Sequence, residues 1–519
     1  MPRRRPPNSR TDPDSLPELV LATRGDNASA QRLSRLRKQG KLRPLYAGIY
    51  SSNLRASDED VVHRNWSRIL AYLAPGSVVS HRSAFELAPH EGLITATRAS
   101  GRRQFELPGL SIKALVKPAR GPLTRTRRPG ASDVPYEGIH IASQPRAFLE
   151  NLTTDRRLAP RQLPRADIEA RLDRILALRG PAALNSLRDD AREAAKRLGM
   201  LAEFETLDSL VGALLGTRPA RRLKTAAALA RAGGKPYDAG RIALFERAAA
   251  QLRDFPFADI AEPARRGAAR DMFAFVESYF SNYIEGTTFT VEEAGDIVFR
   301  GKLIAHRRED SQDVLGTFEA AQRDPFYSAA PDGEEAFLGW LQRANRRVLG
   351  ARPDKSPGDW KEKPNQAGNT LFVLPELVPG TLARAWPLVA MPGHAMQRAL
   401  LAMIVVSEVH PFADGNGRTA RLLMNCFLTR DAQCRIIVPT IFREDYLLAL
   451  KAVSHQQDTG ALVRAMRLCQ AWTAELDYTL DARAMERELA ACHALEEDTR
   501  IHRLLSPRTR LPMSVPGNR

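Results

Sequence analysis

The sequence predicts a multidomain protein whose carboxyl-terminal half is a mainly α-helical domain with a small β-hairpin, preceded by an α+β module and a helical connecting region. Three observations support this fold class. The chain has 519 residues, which is more than one hydrophobic core accommodates. Apolar residues recur with helical spacing over 165–232 and again over 242–504. The first 50 residues instead alternate helix-like and strand-like segments.

These patterns divide the chain into five segments. We expect a flexible basic tail over 1–14, an α+β domain over 15–150, a helical connector over 151–240, a helical domain over 241–505 and a second tail over 506–519.

The amino-terminal module has the element order of a winged helix. Residues 16–22 suggest a short helix, residues 29–39 a second helix that Gly40 ends, and residues 42–50 a β-hairpin. The second helix would turn polar and basic side chains outward, and the hairpin would contribute Arg43. Such groups can contact base edges and phosphates, so we expect double-stranded DNA as a partner through Gln31, Arg32, Arg35, Lys38 and Arg43.

Composition limits the other possibilities. Lys and Arg number 77 against 60 Asp and Glu, and the resulting net charge of +17 favours polyanionic partners. The longest apolar run, 399–406, is far shorter than the ~20 residues of a membrane span. No signal peptide is visible at the amino terminus. We therefore expect a cytoplasmic protein without a membrane partner.

The stretch His-Pro-Phe-Ala-Asp-Gly-Asn-Gly-Arg-Thr-Ala-Arg over 410–421 carries the chemistry. Two glycines let successive backbone N–H groups turn toward one point, and the following helix adds its positive amino-terminal end. Asp414 offers a hard oxygen to Mg²⁺, and two arginines three residues apart can grip neighbouring phosphates. His410 can accept a proton near neutral pH. These residue types indicate phosphoryl or nucleotidyl transfer.

A second motif lies upstream, in Ser-Asn-Tyr-Ile-Glu-Gly over 281–286. On a helix, Ser281 and Glu285 share one face, and Gly286 is suited to end that helix. The carboxylate at the helix end could therefore reach an arginine elsewhere in the fold.

Residues 410–421 match every fixed position of the Fic family motif H-P-F-x-D-G-N-G-R-x-x-R, and the chain resembles the N-terminally inhibited class of Fic protein adenylyltransferases. The resemblance implies a mainly α-helical fold, with ATP as co-substrate and Mg²⁺ as cofactor. It implies that His410 deprotonates a Ser, Thr or Tyr hydroxyl of a target protein, which then attacks the α-phosphate. The remaining implied roles are Mg²⁺ binding by Asp414, an anion hole at Gly415, Asn416 and Gly417, β-phosphate binding by Arg418 and γ-phosphate binding by Arg421.

The resemblance also assigns a flap and a brake. The segment Thr370, Leu371, Phe372, Val373 and Leu374 sits where the family places a hairpin that docks the target backbone. The preceding Pro-Gly-Asp-Trp-Lys over 357–361 departs from the family pattern at Asp359 and Lys361. Ser281, Glu285 and Gly286 resemble the inhibitory motif [S/T]-x-x-x-E-[G/N], in which Glu285 pairs with Arg421 and ATP binds unproductively.

The amino-terminal module resembles the winged-helix domain of AbiEi-type antitoxins and related bacterial regulators. The shared features are Leu-Ser-Arg-Leu-Arg over 33–37, Gly-Lys-Leu over 40–42, Leu-Tyr-Ala-Gly-Ile-Tyr over 45–50 and Val-Ser-His-Arg-Ser-Ala over 79–84.

The function expected from these features is an autoinhibited protein adenylyltransferase joined to a DNA-binding module. Two alternatives stay open: a DNA-binding, antitoxin-like regulator whose Fic domain senses nucleotide without catalysis, and transfer from a nucleotide other than ATP. The sequence also leaves open whether Glu285 supports removal of AMP.

Overall fold

The structure, a computed structural model, describes residues 16–23, 25–116, 121–154, 160–264, 266–322, 330–497 and 501–514. The tail expected over 1–14 lies outside these residues, as does the end of the second tail, 515–519. The chain separates into two compact units, 1–232 and 233–519. No helix in the described ranges has both the length and the apolar character needed to cross a bilayer.

The first unit contains two β-sheets and eight helices in its described residues. Its strands are β1 Leu19–Leu21, β2 Arg43–Tyr46, β3 Ile49–Ser51, β4 Val78–Val79, β5 Leu93–Thr97, β6 Arg103–Leu107, β7 Leu110–Leu115, β8 Val134–Tyr136 and β9 Ile139–Ile141. Its helices are α1 Asn27–Lys38, α2 Asp58–Arg64, α3 Trp66–Leu73, α4 His81–Glu86, α5 Gln144–Asn151, α6 Arg165–Leu198, α7 Leu201–Leu214 and α8 Ala226–Ala232. The helical spacing seen over 165–232 is confirmed by α6, α7 and α8.

The two sheets of the first unit differ in topology. A three-stranded antiparallel sheet has the order β1-β3-β2, and a six-stranded mixed sheet has the order β6-β7-β5-β4-β9-β8. In the larger sheet β5 pairs with β7 and β4 with β9 in parallel, while the other pairs are antiparallel. The expected second helix and hairpin are present as α1, β2 and β3.

The short helix expected over 16–22 is wrong, because Leu19–Leu21 form strand β1. Leu19 pairs with Ser51 and Leu21 with Ile49, so the segment extends the hairpin sheet by one strand. Leu19 is buried while Leu21 is half-exposed. These apolar residues therefore belong to an edge strand of the sheet. A run of three residues is too short for its periodicity to distinguish a strand from a helix.

The second unit is a helical assembly with one small hairpin. Its helices are α9 Ala239–Asp254, α10 Gly267–Ile284, α11 Val291–Arg300, α12 Arg308–Gln322, α13 Glu334–Val348, α14 Val378–Ala390, α15 Ala395–Val409, α16 Asn416–Arg430, α17 Arg443–Gln456, α18 Gly460–Glu475 and α19 Ala482–Ala491. Strands β10 Gln366–Ala367 and β11 Thr370–Leu371 pair antiparallel. The mainly helical fold expected for this part of the chain is confirmed.

Helices α15 and α16 form the centre of this unit. Both are buried around nearly their whole circumference, as expected for helices enclosed by other helices. Only six residues, 410–415, separate them. The motif over 410–421 is therefore held between two buried helices, which fix its geometry.

A buried ion-pair network joins α10 to the centre. Glu277 on α10 accepts hydrogen bonds from Asn425 Nδ2 on α16 at 2.8 Å and from Arg435 Nη1 at 2.8 Å. Arg435 also pairs with Glu262 at 2.9 Å and lies 4.0 Å from the ring centroid of Phe273. The network fixes the position of α10 along α16.

Replacing Arg435 with Met should destabilise the protein strongly, because it leaves the Glu277 and Glu262 carboxylates buried without their cation. We expect a loss of about 3–5 kcal/mol in the free energy of unfolding, measured by urea titration of tryptophan fluorescence. The matched control is Arg300→Met, which removes an arginine whose side chain is 63% exposed and should leave the midpoint unchanged. Equal midpoints for the two variants would contradict the account.

Candidate active site

The motif loop begins where α15 ends in a left-handed residue. His410 has φ 51° and its N–H donates to Val406 O at 2.9 Å, so it caps the last turn of α15. The loop ends at Gly415, which has φ 73° and precedes the first residue of α16. A Cβ at Gly415 would overlap Leu349 Cδ1 and Asn345 Nδ2, so glycine is required there by both backbone and space.

The side chain of Asn416 closes the loop on itself. Its Oδ1 accepts from Phe412 N at 2.8 Å and its Nδ2 donates to Phe412 O at 2.9 Å. The Phe412 ring is buried and stacks on Trp360 with centroids 5.1 Å apart. The side-chain amide of Asn416 therefore stabilises the loop. Only the backbone N–H of Asn416, at the start of α16, is available to bind an anion.

Asn345 on α13 stabilises the motif loop through its side-chain amide. Its Nδ2 donates to Asp414 O at 2.9 Å, and its Oδ1 accepts from Gly358 N at 2.9 Å. Asn345 is fully buried. Sequence reasoning missed this residue, although an asparagine within the apolar stripe of Trp340, Leu341, Ala344 and Val348 was a signal that a buried polar partner was needed.

Arg421 is the buried cation of the site and is paired with Glu285. Its Nη2 lies 2.7 Å from Glu285 Oε1, and its Nε and Nη2 donate to Ser281 Oγ at 3.1 Å and Ser281 O at 2.8 Å. Burial by itself would raise the pKa of Glu285, but the adjacent Arg421 outweighs it and holds that pKa below its usual value. Glu285 is therefore ionised at neutral pH. Gly286 follows it at φ 93°.

Gly415 and Gly417, at the start of α16, form what we call the glycine cradle. The Glu285 carboxylate lies directly against Gly417 of this cradle. A Cβ on Gly417 would overlap Glu285 Oε1. The Glu285 carboxylate therefore occupies space beside the first turn of α16, where the helix amino terminus attracts an anion.

Arg418 is held by a carboxylate that sequence reasoning did not identify. Its Nη1 lies 2.7 Å from Asp313 Oδ2 on α12 and donates to Asn282 Oδ1 at 3.2 Å. Asp313 is 1% exposed and pairs at 2.9 Å with Arg352 as well. Burial raises the pKa of Asp313, and the two arginines oppose that rise. The guanidinium group of Arg418 therefore points toward Asn282 on α10 and Asp313 on α12.

His410 is suited to accept a proton. Its Nδ1 lies 3.4 Å from Ser407 O, so an Nδ1–H donates to that carbonyl and Nε2 keeps its lone pair. Burial, followed by the nearby Lys361 cation, lowers the pKa of His410 to about 4. The imidazole is therefore neutral at physiological pH.

The hairpin covers this histidine. The Phe372 ring stacks on the His410 ring with centroids 3.9 Å apart and planes 7° from parallel. Of the residues expected in the hairpin, Thr370 and Leu371 lie in β11, whereas Phe372, Val373 and Leu374 follow the strand. Arg241 Nη2 donates to Leu371 O at 2.8 Å, and Thr370 Oγ1 lies 2.8 Å from His455 Nε2.

These side chains enclose a cavity of about 340 Å³. His410, Arg421, Gly417 and Glu285 line one side, and Phe372 lines another. The rest of the wall is mostly α17, through Tyr446, Leu447, Leu450, Lys451 and Ser454. The cavity therefore brings together His410, the paired Arg421 and an apolar wall.

Asp414 is the residue at which the sequence predicts a metal ion. Its Oδ1 accepts from Gly415 N at 2.6 Å and lies 3.7 Å from Arg418 Nη2, and its side chain is 42% exposed. Groups of three or more metal-binding side chains do not occur among the described residues. A single exposed carboxylate fits Mg²⁺ bound mainly by phosphate oxygens and water.

The residues expected to contact DNA lie on α1 and the β2–β3 hairpin of the first unit. Gln31, Arg32, Arg35 and Lys38 are exposed, and Leu33 is the buried residue of α1. Arg43 is bound within the unit instead, to Asp58 and to the carbonyls of Asn53 and Ala56.

Parts of this chain are similar to known proteins. The family model described as Fic/DOC family matches residues 338–428. Protein adenylyltransferase fic-1 of Caenorhabditis briggsae is 28% identical over 195 residues, covering 37% of this chain and 38% of that protein. Protein adenylyltransferase Fic of Nematostella vectensis is 29% identical over 216 residues, covering 40% of this chain and 49% of that protein. The chain spans less than half the length of these two curated relatives.

Among solved structures, Fic-1 (aa134–508) from C. elegans is 20% identical with a TM-score of 0.32, covering 63% of this chain and 93% of that one. The resemblance of residues 410–421 to the Fic motif is confirmed by the family model and the curated relatives. This chain carries a domain of the Fic/DOC family.

Proposed function

We propose that this protein is an adenylyltransferase that moves AMP from ATP to a hydroxyl of a target protein, and that Glu285 restrains it. The observation that carries the proposal is the joining of a neutral His410, a glycine cradle and the Glu285–Arg421 ion pair in one cavity. The names of the curated relatives, protein adenylyltransferases, support the same chemistry.

In the proposed reaction, His410 Nε2 takes the proton of the target hydroxyl while Nδ1–H stays on Ser407 O. The hydroxyl oxygen then bonds to the α-phosphorus of ATP, and the bond to the β-phosphate oxygen breaks, releasing pyrophosphate. The first turn of α16 and Arg418 would stabilise the phosphate charge. Asp414 would hold Mg²⁺, which supplies further positive charge to the phosphates.

The restraint follows from competition for Arg421. A guanidinium that is 5% exposed needs an anionic partner, and Glu285 supplies it in this structure. The γ-phosphate of ATP would need the same guanidinium. While Glu285 stays in place, ATP loses that contact and cannot align its α-phosphate with His410.

Glu285→Gly should therefore activate the enzyme. We expect AMP transfer from α-labelled ATP with Mg²⁺ to rise at least about tenfold over wild type, the equivalent of 1.4 kcal/mol of restraint. Glu285→Gly combined with His410→Ala should show no transfer, because the base is gone. The assay is incorporation of label into the protein itself or into added lysate proteins.

The matched control is Glu137→Gly, which removes one carboxylate from the first unit at a residue whose φ is already 43°. It should leave transfer at the wild-type rate. Absence of label in all variants, with ATP still bound, would favour the nucleotide-sensing regulator instead. Label from another nucleotide only would keep the chemistry and change the donor.

The pH dependence of transfer should reflect the buried histidine. The base works when neutral, and its pKa of about 4 means that protonation removes activity only as the pH falls toward 4. In Glu285→Gly the loss of a carboxylate lowers this pKa further. We expect equal initial rates at pH 6 and pH 7.5, measured on the same variant; a fall centred near the ordinary imidazole value of 6.5 would contradict the assignment.

A DNA-binding role for the first unit is the second part of the proposal. In the described part of α1, one residue is buried and the basic side chains Arg32, Arg35, Arg37 and Lys38 are exposed. We propose that α1, which buries only Leu33 and lies between strands β1 and β2 in the chain, serves as the reading helix of a winged-helix module. Arg43 is excluded from the contact set that we propose, because Asp58 holds it.

Replacing Arg32 and Arg35 together with Ala should weaken duplex DNA binding and reduce its salt dependence. Two lost phosphate contacts should lower the slope of log K against log salt by about two. The measurement is fluorescence anisotropy of a labelled duplex across a salt series. Arg102→Ala with Arg103→Ala removes two exposed arginines at the start of β6, Arg103 in the strand and Arg102 just before it, and serves as the control; equal slopes for both double variants would remove α1 as the reader.

A further inference from the structure

The segment that leads into the hairpin binds the motif loop on both sides of His410. Lys361 is 5% exposed, and its Nζ donates to Val409 O at 3.3 Å and to Asn365 Oδ1 at 2.6 Å. Its backbone N–H donates to Pro411 O at 2.9 Å. One residue therefore holds the carbonyls immediately before and after His410.

Asn365 continues the same set of contacts. Its Nδ2 donates to Phe412 O at 3.0 Å, and its own carbonyl accepts from Phe372 N at 3.2 Å. Phe372 is the residue whose ring stacks on His410. Asn365 thus connects the loop that carries the base to the ring that covers it.

His410 needs such support because of its backbone. A non-glycine residue at φ 51° costs about 1–2 kcal/mol. The carbonyls at the end of α15 also lack partners within the helix, and unpaired buried carbonyls are costly. Lys361 supplies a partner for Val409 O at the end of α15, and Lys361 and Asn365 also bond the loop carbonyls of Pro411 and Phe412, which stabilises the strained turn.

The charges around His410 come from several elements. Lys361 opposes protonation of the imidazole, whereas Glu285 and Asp414 favour it. Burial, followed by the nearby Arg241 on α9, lowers the pKa of Lys361 to about 7. The ammonium is therefore charged between pH 4 and 6, the range in which it can oppose protonation of His410. The other ionisable groups that line the same cavity are Arg421, Glu408, Lys451 and Tyr446.

We propose that Lys361 is the positioning residue of the base: it fixes His410 in its left-handed conformation through the two flanking carbonyls and keeps a positive charge beside the imidazole. The kinetic part of this proposal rests on the proposed adenylyl transfer. Lys361 contacts neither nucleotide nor target in this account, and it acts through His410 alone.

Three substitutions in the Glu285→Gly chain separate hydrogen bonding from charge. Lys361→Met removes the charge and the two Nζ hydrogen bonds but keeps the backbone bond to Pro411 O, and it should lower kcat at pH 7.5 about tenfold with KM for ATP changed less than about twofold. Lys361→Arg keeps both and should restore most of the rate. Lys361→Gln keeps a donor without the charge, so it should restore the rate at pH 7.5 while moving the acid limb of the pH profile to higher pH. Lys363→Met, at an exposed lysine of the same segment, should match the parent.

A kcat and acid limb unchanged in Lys361→Met would overturn the proposal. A lower melting temperature with an unchanged pH profile in all three variants would also overturn it, because the lysine would then be structural only.

A second readout does not depend on activity. In the full chain labelled with [¹³C-ε1]histidine, His410 is assigned among ten histidines by comparison with His410→Ala and titrated by NMR. Its pKa should rise toward 6.5 in Lys361→Gln and stay near 4 in Lys361→Arg. Equal values in both variants would overturn the inference even if no AMP transfer were ever found. A shift without any transfer would leave the inference standing and reject the proposed function instead.

Discussion

A buried guanidinium at position 421 is the constraint on which the site depends. Arg421 lies on a helix enclosed by other helices, so its charge cannot be left to water and needs an anion within the fold. Glu285 supplies that anion from the end of α10, and Ser281 and Glu277 on the same helix face bind α16 at Arg421 and Asn425. Because α10 is attached to α16 at successive turns, the Glu285 carboxylate is fixed next to Arg421. Under the proposed function, a nucleotide would replace Glu285 with a phosphate, so that Arg421 stays paired.

The backbone at His410 and the loop that follows it are stabilised by a different set of contacts. His410 has a left-handed backbone at the junction of α15 and the loop, and the loop is closed internally by Asn416, supported by Asn345 and held by Lys361. Each of these three side chains hydrogen-bonds at least one backbone group of the loop or of its flanks. The residue types of the motif therefore divide into those available to a ligand and those that shape the loop, and Asn416 belongs to the second group by its side chain.

How much of this was predictable depends on the range of each interaction. The motif over 410–421, the helix that carries Glu285 and the helical class of the second unit follow from local patterns in the sequence. Asn345, Asp313 and Lys361 could not be assigned, because each acts on a loop or arginine 48 or more residues away along the chain. The strand Leu19–Leu21 was missed for a similar reason, since its pairing with β3 decides its conformation and three residues carry too little periodicity. Arg43 on β2 was assigned to DNA contact from its residue type, whereas its pairing with Asp58 depends on a residue that the sequence pattern did not point to.

The measurement that tests the central claim most directly compares ATP and ADP binding by calorimetry in a His410→Ala background, where transfer is blocked. With Glu285 present, the two nucleotides should bind with similar affinity, because Arg421 is already paired and the γ-phosphate gains nothing from it. With Glu285→Gly, ATP should bind about tenfold tighter than ADP, a difference of 1.4 kcal/mol, and Arg421→Ala should abolish that preference. An ATP-to-ADP ratio that does not change when Glu285 is removed would contradict the account, because Glu285 and the γ-phosphate would then not compete for Arg421.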